Sequence, residues 1–321
     1  MLWGLNWSRK QHNLYIPREG RIAMLQKLKH IYEKKYKLLM IFPVLLLVLA
    51  LVQMGVQYAT TGDFVNKGIS LKGGSTITIT KSISVSPSEL EESLRQEFPT
   101  IDVTVRTLSS AGKTTGIAVD SGLQERKEIN NLANALSDRF GLQKLDYSVE
   151  VVGSSLGNNF FKQMLIALVF SFLLMGIMVI LYFRVFITSL MVILAAFCDI
   201  VITLAIFNLT GMKLHPAGIA AFLMLIGYSV DGEVVISSRL IKRNDGTELE
   251  RIYGALRTGW TMTQTTLMAV IVALIFVQSE IVKQIMLILL IGLVVDTIVT
   301  WIQNVGILRW HLEKKHKNSD G

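Results

Sequence analysis

Six long apolar runs divide this chain, and a polar segment separates the first run from the other five. Each run is long enough to cross about 30 Å of hydrocarbon at about 1.5 Å per helical residue, with tilt in the longer ones. The pattern therefore predicts a polytopic α-helical membrane protein with a 1+5 order of spans. The predicted spans are residues 38–58, 163–183, 185–209, 214–236, 261–277 and 283–308.

The polar segment, residues 59–162, has the pattern of a separate α+β domain. β-Branched residues alternate over residues 74–80 as in a strand, and Ser86-Pro87 begins a helix with an acidic first turn. A second helix is predicted to end at Gly141 in the C′ position. The order β-α-β-β-α-β is that of a ferredoxin-like domain, which indicates a module rather than an activity. The other predicted elements are strands at residues 102–108, 114–119 and 145–152 and a helix at residues 124–140.

The distribution of charge predicts the orientation of the spans. The net charge is +8, and residues 1–37 hold nine Lys or Arg against two Glu, whereas the polar segment is almost neutral. Basic residues also mark the second–third turn, the fourth–fifth loop and the tail at residues 309–321. By the positive-inside rule both termini are cytoplasmic and residues 59–162 are extracytoplasmic. This placement also makes nucleic-acid binding the weaker explanation of the positive charge.

The N-terminal segment leaves two interpretations open. Apolar side chains over residues 22–32 fall near one helical face among Arg and Lys. The segment is therefore either an interfacial amphipathic helix on an anionic leaflet or a frayed basic tail.

Four carboxylates interrupt the apolar runs: Asp199, Asp231, Glu233 and Asp296. A charged acid at mid-bilayer costs roughly 2.5–3.5 kcal/mol on insertion scales, and no Lys or Arg lies at comparable depth in the sequence. These acids must therefore be protonated, solvated in a cavity or faced by a cation from a partner. We rank them as coupling candidates in the order Asp231, Glu233, Asp296, Asp199.

Helical spacing distributes these acids over different faces. Asp231 shares a face with Tyr228, whereas Glu233, two residues further on, points roughly the opposite way. Asp296 continues into a polar stripe with Thr300, at a spacing of four residues. Such a stripe either holds helices together or lines a route for protons or water, and Asp199 suits the first role better.

The sequence contains no recognisable enzymatic centre. It has no nucleotide-binding loop, metal-ligand cluster or nucleophile–base pair, so no cofactor, metal or catalytic residue is expected. Asp199 and Asp231 lie on adjacent spans as in an intramembrane aspartyl protease, but the Gly-x-Gly-Asp signature is missing. At the start of the fifth span, Arg257 and Thr265 are supporting polar candidates, although threonines there can bond back to their own helix.

Four motifs resemble the SecF branch of the SecD/SecF protein-export family over most of the chain. They are Gly73-Gly74, "VEVVGSSLGNNF" before the second span, "GYSVDGEVV" with "SRLIKRN" in the fourth, and "ALRTGWTMTQTT" opening the fifth. Asp231-Gly232 stands where bacterial relatives have Asn-Asp, and Asp296 and Trp301 are closer to the archaeal branch. Arg257 matches a bacterial arginine except for a spacing to Thr265 that differs by one residue.

The resemblance implies a SecD-like partner with the same 1+5 plan, forming a heterodimer beside the Sec translocon of the SecY/SecE type. It also implies preprotein substrates, use of the proton gradient, and an outer domain that moves relative to the cytoplasmic membrane. Two alternatives remain open at this point. One is an ion-coupled small-molecule exporter of the resistance-nodulation-division type, disfavoured by the small outer domain, and the other is a structural scaffold.

Overall fold

A computed structural model describes residues 35–80, 86–110, 113–143, 146–242, 248–277 and 279–310. Within these residues, six helices are long and apolar enough to cross a membrane. The N-terminal segment at residues 22–32, for which the sequence leaves two interpretations, and most of the basic tail lie outside them.

The first span consists of a short helix α1 (Tyr36–Leu39) followed by α2 (Ile41–Thr61). The other five candidate spans follow the polar segment in sequence. Their helices are α6 (Ser154–Phe183), α7 (Phe186–Leu209), α8 (Pro216–Lys242), α9 (Glu248–Phe276) and α10 (Glu280–Ile298), the last continued by a π-helical segment, Val299–Asn304.

Two of these helices begin well before their apolar runs. Helix α6 begins at Ser154, well before residue 163, so the predicted domain boundary falls inside a helix. Helix α9 begins at Glu248, well before the predicted start of the fifth span at residue 261. Hydropathy misses both extensions because a helix that leaves the lipid keeps its backbone hydrogen bonds while its side chains become polar.

Helices α7, α8 and α10 form the interior of the membrane region. Side chains from all three pack together, for example Phe207 of α7, Leu225 of α8 and Leu293 of α10. Helices α2 and α6 expose most of their apolar side chains. This arrangement makes α7, α8 and α10 the helices on which a polar side chain is hidden from lipid.

The polar segment folds into a four-stranded antiparallel sheet with two helices against one face. A short helix α3 (Ile69–Lys72) precedes the sheet. The apolar core lies between sheet and helices and includes Ile77, Leu94, Val119 and Leu132. The elements are β1 (Gly74–Ile79), α4 (Pro87–Glu97), β2 (Val103–Ser110), β3 (Lys113–Ser121), α5 (Arg126–Phe140) and β4 (Tyr147–Val152). The strand order across the sheet is β2-β3-β1-β4.

The sheet domain is attached to the membrane helices through the loop between α7 and α8. Leu214 in this loop exchanges two backbone hydrogen bonds with the segment before α3: its N–H donates to Asn66 at 2.6 Å, and its carbonyl accepts from Gly68 at 2.8 Å. Lys213 adds an ion pair with Asp102 at 2.8 Å. The buried Gln284 of α10 supports the loop by donating to the carbonyl of Lys213 and accepting from the N–H of His215. We call this contact the junction.

Candidate functional site

Three of the four intramembrane acids converge at one buried cluster between α7, α8 and α10. Asp199 and Glu233 are completely buried, and Asp296 is 4% exposed. Their carboxyl groups are close enough to repel one another when charged. The ion pairs Lys67–Asp63, Arg95–Glu91, Arg106–Asp120 and Lys213–Asp102 lie in the sheet domain and its attachments, away from this cluster. The helices thus bring together three carboxyl groups that the sequence separates by up to about 100 positions.

Thr300 lies at the centre of this acid cluster. Its hydroxyl oxygen is 2.6 Å from Oε1 of Glu233 and 3.1 Å from Oδ1 of Asp296. Thr300 belongs to the π-helical segment, which also places Gln303 and Asn304 in the interior. A π-helical turn holds more residues than an α-helical one and often occurs at functional sites. It widens the buried polar face of the last span.

The single hydroxyl hydrogen of Thr300 limits how many ionised carboxylates of the cluster it can stabilise. A threonine hydroxyl has one hydrogen to donate, whereas an ionised carboxylate only accepts. Thr300 therefore satisfies a single ionised carboxylate at a time, and a hydrogen bond to the second acid requires that acid to carry a proton. The cluster can change its hydrogen bonding by gaining or losing one proton.

Ser229 is a member of the cluster that our sequence analysis did not select. Its hydroxyl donates to Oδ2 of Asp199 at 2.6 Å. A signal for it exists in the sequence, because Ser229, Glu233 and Ser237 repeat every four residues and all three are buried. This stripe, rather than the one containing Asp231, faces the interior.

Several polar atoms around the cluster have no hydrogen-bond partner within the described chain. They include Oδ1 of Asp199, Oε2 of Glu233 and both side-chain amide atoms of Asn304. Buried polar groups in proteins are nearly always hydrogen-bonded. Asn304 is near enough to serve as a donor for Glu233, and a proton shared between Asp199 and Asp296 would pair those two carboxyl groups; water or another chain can satisfy the remaining atoms.

Asp231, our first-ranked candidate, is not part of the cluster. It is exposed on the outer face of α8, on the same side as Tyr228, which is 40% exposed. Near Gly227 and Gly232 an added Cβ would meet no atom within 4 Å. As the helical spacing predicts, Asp231 and Glu233 point in different directions. We call the surface formed by Ala220, Met224, Gly227, Tyr228 and Asp231 the outer α8 face.

The two supporting candidates of the fifth span also lie outside the cluster. Arg257 is exposed, and Thr265 is exposed with its hydroxyl bonded to the carbonyl of Thr261, one turn earlier, at 2.8 Å. This local bond is the alternative that the sequence left open for the threonines. Of the supporting polar residues, Thr300 is the one that contacts the acids.

The acid cluster does not have the arrangement of a metal centre. Among the residues described, no group of three or more His, Cys, Asp or Glu side chains is placed to hold a metal ion. What the three carboxyl groups and their hydroxyl donors can do is accept, hold and release protons.

Comparison with known proteins places the chain in a family. Residues 132–314 match the model of the family described as protein export membrane protein SecD/SecF, C-terminal. A protein-export membrane protein SecF of Pyrococcus furiosus is 37% identical over 90% of this chain and 96% of its own length. The SecF of Methanolacinia petrolearia is 35% identical over 89% of this chain and 96% of its own length.

The fold agrees with a solved structure from the same family. The crystal structure of SecDF, a translocon-associated membrane protein from Thermus thermophilus, matches 88% of this chain with a TM-score of 0.67 at 18% identity. The chain spans 41% of the length of that protein. Together with the matches over nearly the whole chain, these findings show that the chain belongs to the SecD/SecF family of protein-export membrane proteins.

Proposed function

We propose that this chain is the SecF-type subunit of a SecD–SecF pair, which uses proton movement through the acid cluster to assist preprotein export. Membership of a protein-export family places its role in protein export. The observation that carries the coupling proposal is the contact of the Thr300 hydroxyl with both Glu233 and Asp296. This role is mechanical rather than enzymatic, with no catalytic residue.

We infer that the sheet domain is a ferredoxin-like module on the extracytoplasmic side and that both termini are cytoplasmic. The strand order β2-β3-β1-β4, with two helices on one face, supports the first inference. The basic residues of the N-terminal segment and of the fourth–fifth loop support the second. In this orientation a preprotein leaving a SecY/SecE-type translocon meets the sheet domain.

The partner in this proposal, a SecD-like chain, packs on the outer α8 face. The small residues Ala220 and Gly227 allow another helix to approach closely, as small residues do between membrane helices. Asp231 on the same face is too costly to leave in lipid, so the partner supplies it with a cation or hydrogen-bond donors. Asp231 therefore has an interface role in this proposal, and the acid cluster has the coupling role.

Proton binding changes helix packing in the following way. With Glu233 and Asp296 both ionised, Thr300 satisfies one and leaves the other charged and buried, which costs several kcal/mol. A proton on either acid removes the repulsion and allows both hydrogen bonds to form. Because Glu233 is on α8 and Thr300 follows α10, each protonation change alters the contact between these two helices.

The test compares buried and exposed acids in the complete complex. Vesicles containing the translocon and the SecD–SecF pair are assayed for preprotein export with and without a proton gradient. Glu233→Gln should abolish the stimulation by the gradient and leave the basal export and the association with SecD unchanged. Asp231→Asn, the matched control on the same helix, should keep the stimulation and weaken the association with SecD.

Two results would contradict the proposal. The cluster would be excluded as the proton site if the proton gradient still stimulated export fully in Glu233→Gln, and also in Asp199→Asn and Asp296→Asn. Undiminished association with SecD in Asp231→Asn and in Gly227→Leu would exclude the outer α8 face as the subunit contact.

A further inference from the structure

A cavity of about 420 Å³ lies where the sheet domain meets the ends of the membrane spans. Its wall includes Asp63, just after α2, Ser154, the first residue of α6, and Lys213, in the loop between α7 and α8. The sheet domain contributes Asp102. Because α2 ends and α8 begins next to it, the cavity lies where these two helices reach the lipid headgroups, and α6 reaches it through turns that extend beyond the hydrocarbon.

The charge of the cavity wall suits one negative charge. Three lysines line it against two aspartates. Lys67 pairs with Asp63 at 2.6 Å, and Lys213 pairs with Asp102 at 2.8 Å. The third lysine, Lys72, is exposed and takes part in none of the ion pairs formed between described residues. The cavity is therefore left with one unneutralised ammonium group.

Helix α6 adds hydrogen-bond donors at the same place. It begins at Ser154 after Gly153, and no side chain caps its first turn. The first N–H groups of a helix lack partners within the helix and carry a partial positive charge, which favours an anion. A wall with Lys72, the Ser154 hydroxyl and a helix N-terminus suits a phosphate oxygen in particular.

Apolar side chains flank the cavity residues along the chain. Phe64 follows Asp63 and stacks on Tyr58 with a ring-centre distance of 4.5 Å, and both rings are exposed. Leu156 and Phe160 are exposed on the first turns of α6. Aromatic side chains at the membrane interface contact the glycerol and upper acyl region of lipids. These side chains do not line the cavity itself, but they offer apolar surface beside it along the chain to a ligand whose polar group lies in the cavity.

We propose that this cavity binds the phosphodiester of an anionic phospholipid from the leaflet on the side of the sheet domain, with Lys72 and the start of α6 holding the phosphate. Such a lipid connects α3, α6 and the loop before α8, which are the elements that carry the sheet domain on the membrane helices. The proposal concerns the isolated chain and does not depend on proton coupling or export.

The test uses the purified full chain in a neutral detergent after removal of native lipid. The probes are a short-chain phosphatidylglycerol, a short-chain phosphatidylcholine and inorganic phosphate, and the readout is the dissociation constant obtained from the rise in unfolding temperature. Phosphatidylglycerol should bind most tightly. Lys72→Gln should weaken its binding by about tenfold to a hundredfold, as expected for a charged hydrogen bond.

Matched variants separate this site from general lipid binding. Lys72→Arg should restore binding to within a few fold, and Lys162→Gln, which removes an exposed lysine further along α6, should leave binding unchanged. Equal binding of the two lipids, or equal loss in Lys72→Gln and Lys162→Gln, would overturn the proposal. Inorganic phosphate binding as tightly as phosphatidylglycerol would also overturn it, in favour of a free-phosphate site.

Discussion

The hydroxyl of Thr300 donates a hydrogen bond to Glu233 at 2.6 Å, across 67 positions in the sequence. Thr300 lies in the π-helical segment of the last span, and Glu233 lies near the middle of α8. The irregular helical turn and the acid cluster are therefore parts of one structural feature. The helix pair that carries this bond also carries the proposed coupling.

Removing the hydroxyl of Thr300 tests the strength of this bond. Thr300→Val keeps the shape of the side chain but leaves Glu233 without its donor, so the free energy of unfolding should fall by about 1–3 kcal/mol. Thr300→Ser keeps the hydroxyl, so its free energy of unfolding should fall clearly less. Unfolding in detergent measures both, and equal losses would show that packing of the methyl group matters more than the hydrogen bond.

Two glycines of the membrane region should respond in opposite ways to substitution by alanine. A Cβ at Gly259 would lie 2.5 Å from the ring of Trp301, so Gly259→Ala should destabilise the chain by about 1–3 kcal/mol through overpacking. Gly232→Ala meets no atom within 4 Å and should stabilise α8 by up to about 1 kcal/mol. The unfolding temperatures of the two variants of the isolated chain measure these effects. An equal change at both positions would contradict the prediction.

Gln284 should control how firmly the sheet domain is attached. It donates to the carbonyl of Lys213 at 2.7 Å and accepts from the N–H of His215 at 3.0 Å. Gln284→Leu leaves both backbone groups without partners, at about 1–3 kcal/mol each. Hydrogen exchange at residues 213–215 should therefore accelerate, whereas Gln284→Glu, which keeps the acceptor, should give a smaller increase. Unchanged exchange in Gln284→Leu would show that the junction does not need this side chain.

The junction should also weaken at low pH through His215. Burial lowers the pKa of the His215 imidazole below its usual value. The positive charges of Arg106 and Lys213 lower this pKa further, whereas the negative charge of Asp120 raises it. The unfolded chain therefore binds the proton more readily, so stability is lost as the pH falls below about 6.5. His215→Gln should show a smaller fall in unfolding temperature between pH 7.5 and 5.5. Identical pH profiles would exclude His215 as a contributor.

Much of the secondary structure followed from local patterns. The strand predicted at residues 74–80 is β1 (Gly74–Ile79), and the helix predicted to end before Gly141 is α5 (Arg126–Phe140), with Gly141 at φ 58°. These predictions succeed because alternation, a capping residue and a glycine with positive φ act over a few neighbouring residues. Helix α6 extends further than predicted because Ser, Gly and Asn residues interrupt the apolar side chains of its first turns and weaken the hydrophobic signal.

The candidate site was predictable only in part. Helical spacing correctly separates Asp231 from Glu233, but it does not say which of the two faces the interior, since a helix has no preferred rotation until its neighbours are known. Ranking Asp231 first therefore had no support from packing. The π-helical segment around Thr300 also has no clear local signal, because it depends on the contacts of the last span with α7 and α8.

The sequence by itself determined that the chain spans a membrane and that it carries acids where lipid does not accept them. Both properties arise from hydropathy and charge, which belong to individual residues and short runs. The tertiary structure decided which acids meet, which hydroxyl they share and which acid faces outward. These features depend on how three helices rotate and pack against each other, and that arrangement is set by contacts between residues far apart in the chain.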